Sequence, residues 1–230
     1  MANTFYVSNN ELRFLMMFSE ISTLHGFEDL LILEDRKEVC YCRDMLCKKQ
    51  YLLINEQKEY ILNESLKFLL MVVKKPYTYF VVESLCQSNM ITKQVIYFVN
   101  DSIVLVSQQE EMFEFVWIPF IPLAIGGIAN LLSPFLNMHT IEIGRYPIGE
   151  KDSLIEFYKQ QGFSLKWKLY SKENETNTIF ILSNDYEQIM FQIQNEQMIV
   201  NKPDKVDYVN VITRLLISAH GKAIKGGTNE

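Results

Sequence analysis

The sequence predicts an α+β fold in which a β-meander closed by a helix occurs twice. Three observations carry this. Gln94–Val99, Ile103–Val106 and Met112–Ile118 are strand-like runs, and the charge-free stretch from Pro119 to Leu132 after them reads as a helix. A second series, Phe163–Tyr170, Thr178–Ser183, Ile189–Gln194 and Met198–Val200, leads into a helical pattern over Pro203–Ala219. The turns between them are the expected kind, since Asn100-Asp101 and Asn184-Asp185 both tolerate left-handed backbone. The chain is read as a single domain over residues 1–230. Its two halves span about 5–136 and 150–220, and Gly221–Glu230 forms a polar tail.

In chain order, Ser8 or Asn9 caps a first helix, with Glu11 adding negative charge to its first turn. Leu12, Leu15, Met16 and Ile21 recur at helical spacing, and Gly26 marks an end or turn. Leu30–Leu33 is a short apolar run, strand-like or extended. Glu34-Asp35 opens a second helix carrying Val39, Met45 and Leu46. Tyr51–Ile54 is apolar and Asn55–Lys58 a polar turn. Tyr60–Val73 reads as a third helix, ended by Lys75-Pro76 because the residue before proline disfavours helix. Tyr77–Glu83 alternates as a strand does. Met138–Lys151, with Gly144, Pro147 and Gly149, reads as the connector between halves. Asp152 or Ser153 then starts a helix that Gly162 ends, and Lys172–Asn177 reads as a turn cluster.

Composition excludes several functions. A net charge of −6 argues against a nucleic-acid partner, which needs a basic face. Met1–Asn10 lacks the basic and apolar regions of a signal peptide. Phe115–Ile141 is uncharged and long enough to span a bilayer. Its prolines and glycines, and the absence of a flanking Lys/Arg belt, argue instead for a buried strand and helix. Cys40, Cys42 and Cys47 cluster without a second Cys/His pair at zinc spacing, so reduced, partly buried thiols are expected. His25, His139 and His220 are isolated, and Gly126-Gly127 lacks the context of a phosphate loop. No acid, base or nucleophile pairs with another, so no catalytic residue, metal or cofactor is assigned.

Aromatic density is the positive signal. In a strand, Phe113, Phe115 and Trp117 share one face while Val116 and Ile118 share the other with Glu114, and Phe120 follows. One reading is a central strand buried on both faces. The other is an open platform for a protein partner, with Phe113, Phe115, Trp117 and Phe120 as the partner-binding residues.

The order of these elements resembles a known family. A Ser8-x-x-Glu11-Leu12 helix comes first, then a helix leading into Leu46-Cys-Lys-Lys-Gln-Tyr-Leu-Leu53. A polar turn and a helix ending at Lys75-Pro76 follow, and then two strand runs, the second closed by Pro203-Asp204 and a helix. This layout is similar to the EspG-type specific chaperones of type VII secretion, and more so to the EsaE-like proteins of Firmicutes. The resemblance covers most of residues 5–220, and Asn55-Glu56-Gln57 stands where that pattern has a Gly-rich turn. It implies a quasi-twofold fold with a central antiparallel sheet flanked by helical bundles. It also implies a cytoplasmic, non-enzymatic chaperone that binds the tip of a helical-hairpin secretion substrate, alone or within a heterodimer. No contact residue carries over from it. The alternative is a self-associating structural module, such as a homodimer; a third reading is a membrane-associated subunit built on Phe115–Leu136.

Overall fold

A computed structural model describes residues 4–30, 33, 35–76, 78–85, 91–99, 102–118, 141–171, 174–194, 196–204, 209–214 and 217. Its centre is a ten-stranded antiparallel sheet, so the chain is α+β. Strands β4 (Thr78–Leu85), β5 (Ile91–Val99), β6 (Ser102–Gln109) and β7 (Met112–Ile118) form one meander. Strands β9 (Ser164–Ser171), β10 (Asn174–Ser183), β11 (Gln188–Gln194) and β12 (Gln197–Lys202) form another. The first strands of the two meanders pair in the middle, with Val82 opposite Leu169. An earlier strand closes each outer edge: β1 (Thr4–Ser8) on β7, and β8 (Ile141–Pro147) on β12.

Both meanders were legible, but their outer strands were not. β1 is too short to show a pattern. β8 was expected as a connector, because Gly144 and Pro147 are turn residues in most settings. Here Pro147 ends an edge strand and Gly144 sits beside a bulge, where Val200 faces Gly144 and Asn201 faces Glu142. Edges and bulges are where strands accept these residues. Asn174–Asn177, expected in a turn, instead extend β10.

Hydrophobic alternation fixes which residues face which layer. Tyr79, Val81, Val95, Tyr97, Val104, Val106, Phe113 and Phe115 point to one face, where the N-terminal helices cover them. Phe80, Val82, Ile96, Phe98 and Ile103 point to the other and join Leu169, Ile179, Ile181 and Ile212. The central strands are thus apolar on both faces, as strands buried on both sides must be. A third cluster packs Phe180, Leu182 and Phe191 under helix α4 (Lys151–Gln160), which a 3-10 turn, Ile148–Glu150, precedes.

The N-terminal layer contains α1 (Asn9–Phe18), α2 (Arg36–Lys48) and α3 (Glu64–Lys74). Ser8 caps α1 in a capping box with Glu11, and Asp35 caps α2. Leu30–Leu33 forms no strand in its described part; Leu33 is buried in the helical-side core. After α1 the chain meets the sheet at His25-Gly26, where the buried Tyr97 hydroxyl donates to the His25 carbonyl. Gly26 has φ +87°, and a Cβ there would meet Val95 Cγ2 at 2.6 Å, so the close approach requires glycine.

The helix expected over 119–132 and the turn at 100–101 lie outside the described residues. Of the last expected helix, residues 209–214 are helical, with Ile212 buried. Among the described residues no helix is long and apolar enough to cross a membrane.

Candidate protein-binding site

Three of the four expected partner-binding residues lie on β7, and two of them are core. Phe113 and Phe115 are fully buried on the helix-covered face. Phe115 lies opposite Phe5 of β1, and Phe113 meets the Phe27 ring edge-on with centroids 5.3 Å apart. A side chain with no exposed surface cannot meet a partner while the chain stays folded, so Phe113 and Phe115 are not an open platform. The sequence shows that these aromatics share a face, but not which face the helices cover. Trp117 is half-buried and packs edge-on against Phe68 of α3 at 5.4 Å. Its indole Nε1 is buried and finds no acceptor among the described residues. Phe120 lies outside the described residues.

Four exposed apolar side chains instead sit together on a hairpin between α2 and α3. Strands β2 (Leu52–Ile54) and β3 (Tyr60–Leu62) form a separate two-stranded sheet. Leu52 lies opposite Leu62, Leu53 opposite Ile61 and Ile54 opposite Tyr60. The first of these pairs is buried and anchors the hairpin, whereas Leu53, Ile54, Tyr60 and Ile61 are all exposed. The sequence predicts a third helix from Tyr60. The structure places Tyr60–Leu62 in a strand and starts α3 at Glu64, after Asn63, whose side chain accepts from Ser65 N at 3.0 Å. Two short apolar runs mirrored about Asn55–Glu59 were the missed signal.

The turn is held by its own polar groups. Asn55 Oδ1 accepts from Glu59 N at 2.8 Å, and Lys58 adopts φ +64°. At the base, Asn63 N donates to the Tyr51 carbonyl at 2.9 Å. Tyr51 in turn stacks edge-on with Phe5 at 5.1 Å, so the hairpin root is fixed to the sheet edge.

A partly buried ion pair joins α1 to the end of α2. Glu11 is 4% exposed, and its Oε2 accepts from Ser8 N and from Lys49 Nζ, both at 2.7 Å. Lys49 also donates to the Tyr6 carbonyl at 3.2 Å, while the Tyr51 hydroxyl accepts from Tyr6 N at 3.1 Å. The start of α1, the end of α2 and the free edge of β1 therefore meet at one point. A strand edge whose polar groups are satisfied by side chains does not recruit another strand.

Beside the hairpin runs a groove of about 400 Å³. Ile61 and Leu62 line it from the hairpin, Leu70 and Met71 from α3, and Phe18 from the end of α1. Lys74 Nζ donates to the Ser19 carbonyl at 2.9 Å and ties α3 to α1 at one end. Met71 is 63% exposed. A large exposed apolar side chain over an open apolar groove suits a protein partner better than a small polar ligand.

Among the described residues no cluster of three or more His, Cys, Asp or Glu side chains could hold a metal ion. Cys40, Cys42 and Cys47 are free thiols, and burial pushes the Cys42 thiol pKa up, away from reactivity.

No protein-family model and no curated protein sequence matches this chain. Its fold is nevertheless known. The chain is similar to the type VII secretion system chaperone EspG5 of Mycobacterium tuberculosis, whose structure is of a complex with a PE25-PPE41 dimer. The similarity has a TM-score of 0.67 at 11% sequence identity and covers 94% of this chain and 96% of that one. The chain therefore has an EspG-like fold.

Proposed function

We propose that this protein is a non-enzymatic, cytoplasmic chaperone or adaptor that binds a helical-hairpin substrate of a type VII secretion system and keeps it soluble for export. The observation that carries this reading is the exposed apolar hairpin and groove on an EspG-like fold. The client is a helical secreted protein, alone or as one member of a heterodimer. Covering its apolar surface prevents self-association until the export machinery takes it. The chain acts as a single domain. Its matched strand orders, β4-β5-β6-β7-β1 and β9-β10-β11-β12-β8, are read as quasi-twofold halves about the β4–β9 pair.

A second reading, self-association, is favoured by the edge strand β8, where Ile141 and Ile143 are exposed. Co-expression with candidate helical clients, followed by size-exclusion chromatography with light scattering, separates the two. The chaperone reading expects a near-equimolar complex that Ile61→Glu reduces by about 30-fold or more in affinity, the scale of an interface hot spot. The thermal melt of Ile61→Glu should stay close to that of the parent, since Ile61 is exposed. A stable homo-oligomer that takes up no helical client would contradict it.

A further inference from the structure

The groove has a charge pattern as well as an apolar floor. Lys67, Met71 and Lys74 follow one another at helical spacing on α3, and all three line it. Seven residues of α-helix rise about 10 Å, so Lys67 and Lys74 leave the helix about two turns apart, with Met71 between them. Among the described residues Lys67 makes no ion pair, and Lys74 spends one of its three donors on the Ser19 carbonyl. Among the described residues Glu64, at the start of α3, is the one carboxylate lining the groove. The groove is thus locally basic on a chain whose net charge is −6.

We infer that the groove takes an amphipathic helix of a partner protein whose apolar stripe is flanked by carboxylates about two turns apart. The inference rests on the groove being the client site and adds the chemistry that selects the client. An apolar stripe seats over Met71, Ile61 and Phe18, exposed apolar side chains of the groove, as helices lie in apolar grooves generally. Carboxylates beside it meet Lys67 and Lys74, and a basic helix is repelled. Such flanking charges set partner choice and association rate more than total affinity.

The test uses three fluorescein-labelled synthetic helical peptides with one leucine stripe and flanking positions that are all Glu, all Gln or all Lys. Fluorescence anisotropy gives their affinities for the full chain at low and high salt. The Glu peptide is expected to bind about tenfold or more tighter than the Lys peptide, with Gln between them. That preference should shrink at high salt and in the Lys67→Gln/Lys74→Gln variant. If the double variant melts early, Lys67→Gln alone serves. Equal affinities that Met71→Glu abolishes would keep the groove and overturn the charge selection. Failure of all three peptides to bind would overturn both.

Discussion

Phe115→Ala is expected to lower the unfolding free energy by about 3–5 kcal/mol, the cost of emptying a buried aromatic site. Phe115 is fully buried, and its strand neighbours are Phe5 on β1 and Val106 on β6. All three side chains belong to the core beneath the N-terminal helices. The chain cannot collapse into the space, because one neighbouring strand is held by the β-sheet ladder and the other by the Tyr51 and Lys49 bonds at Tyr6. Urea unfolding followed by tryptophan fluorescence measures the loss. A variant destabilised by less than about 1 kcal/mol would mean the site is open, and would restore Phe115 as a platform residue.

Lys49→Met is expected to cost about 2–3 kcal/mol, less than the 3–5 typical of breaking a fully buried pair. The discount follows from exposure: the Lys49 side chain is 31% accessible, whereas that of Glu11 is 5%. Removing the ammonium leaves the Glu11 carboxylate buried, with its bond from Ser8 N still in place. It also frees the Tyr6 carbonyl on the β1 edge. Arg145→Met is the control. The Arg145–Glu142 pair is 60% and 51% exposed, so its loss should be within about 1 kcal/mol. Chemical denaturation of both variants checks the ordering, and equal effects would sink the argument.

The central strands were legible because each carries long β-branched and aromatic runs, and Ser8 with Glu11 announced α1. Most strand boundaries moved outward, since polar residues such as Gln108 and Asn174 carry little pattern but still pair in the sheet. What sequence could not show was the covered face. Phe113 and Phe115 look alike as core or as platform until a helical layer is placed on them. The hairpin escaped for a different reason. Tyr60-Ile61-Leu62 runs into the helical pattern of Leu66, Leu69 and Leu70 with only Asn63 between, so a three-residue strand merges with the helix after it. Exposed apolar residues are the useful signal in such a chain, and exposure is a property of the fold rather than of composition.

Hydrogen–deuterium exchange of the protein with and without its co-purified helical client tests the central claim most directly. The account predicts added protection over Leu52–Leu62 and over α3 from Lys67 to Lys74, with the β4–β9 centre unchanged. Protection confined to the β8 edge and α4, with hairpin and groove unaffected, would contradict it.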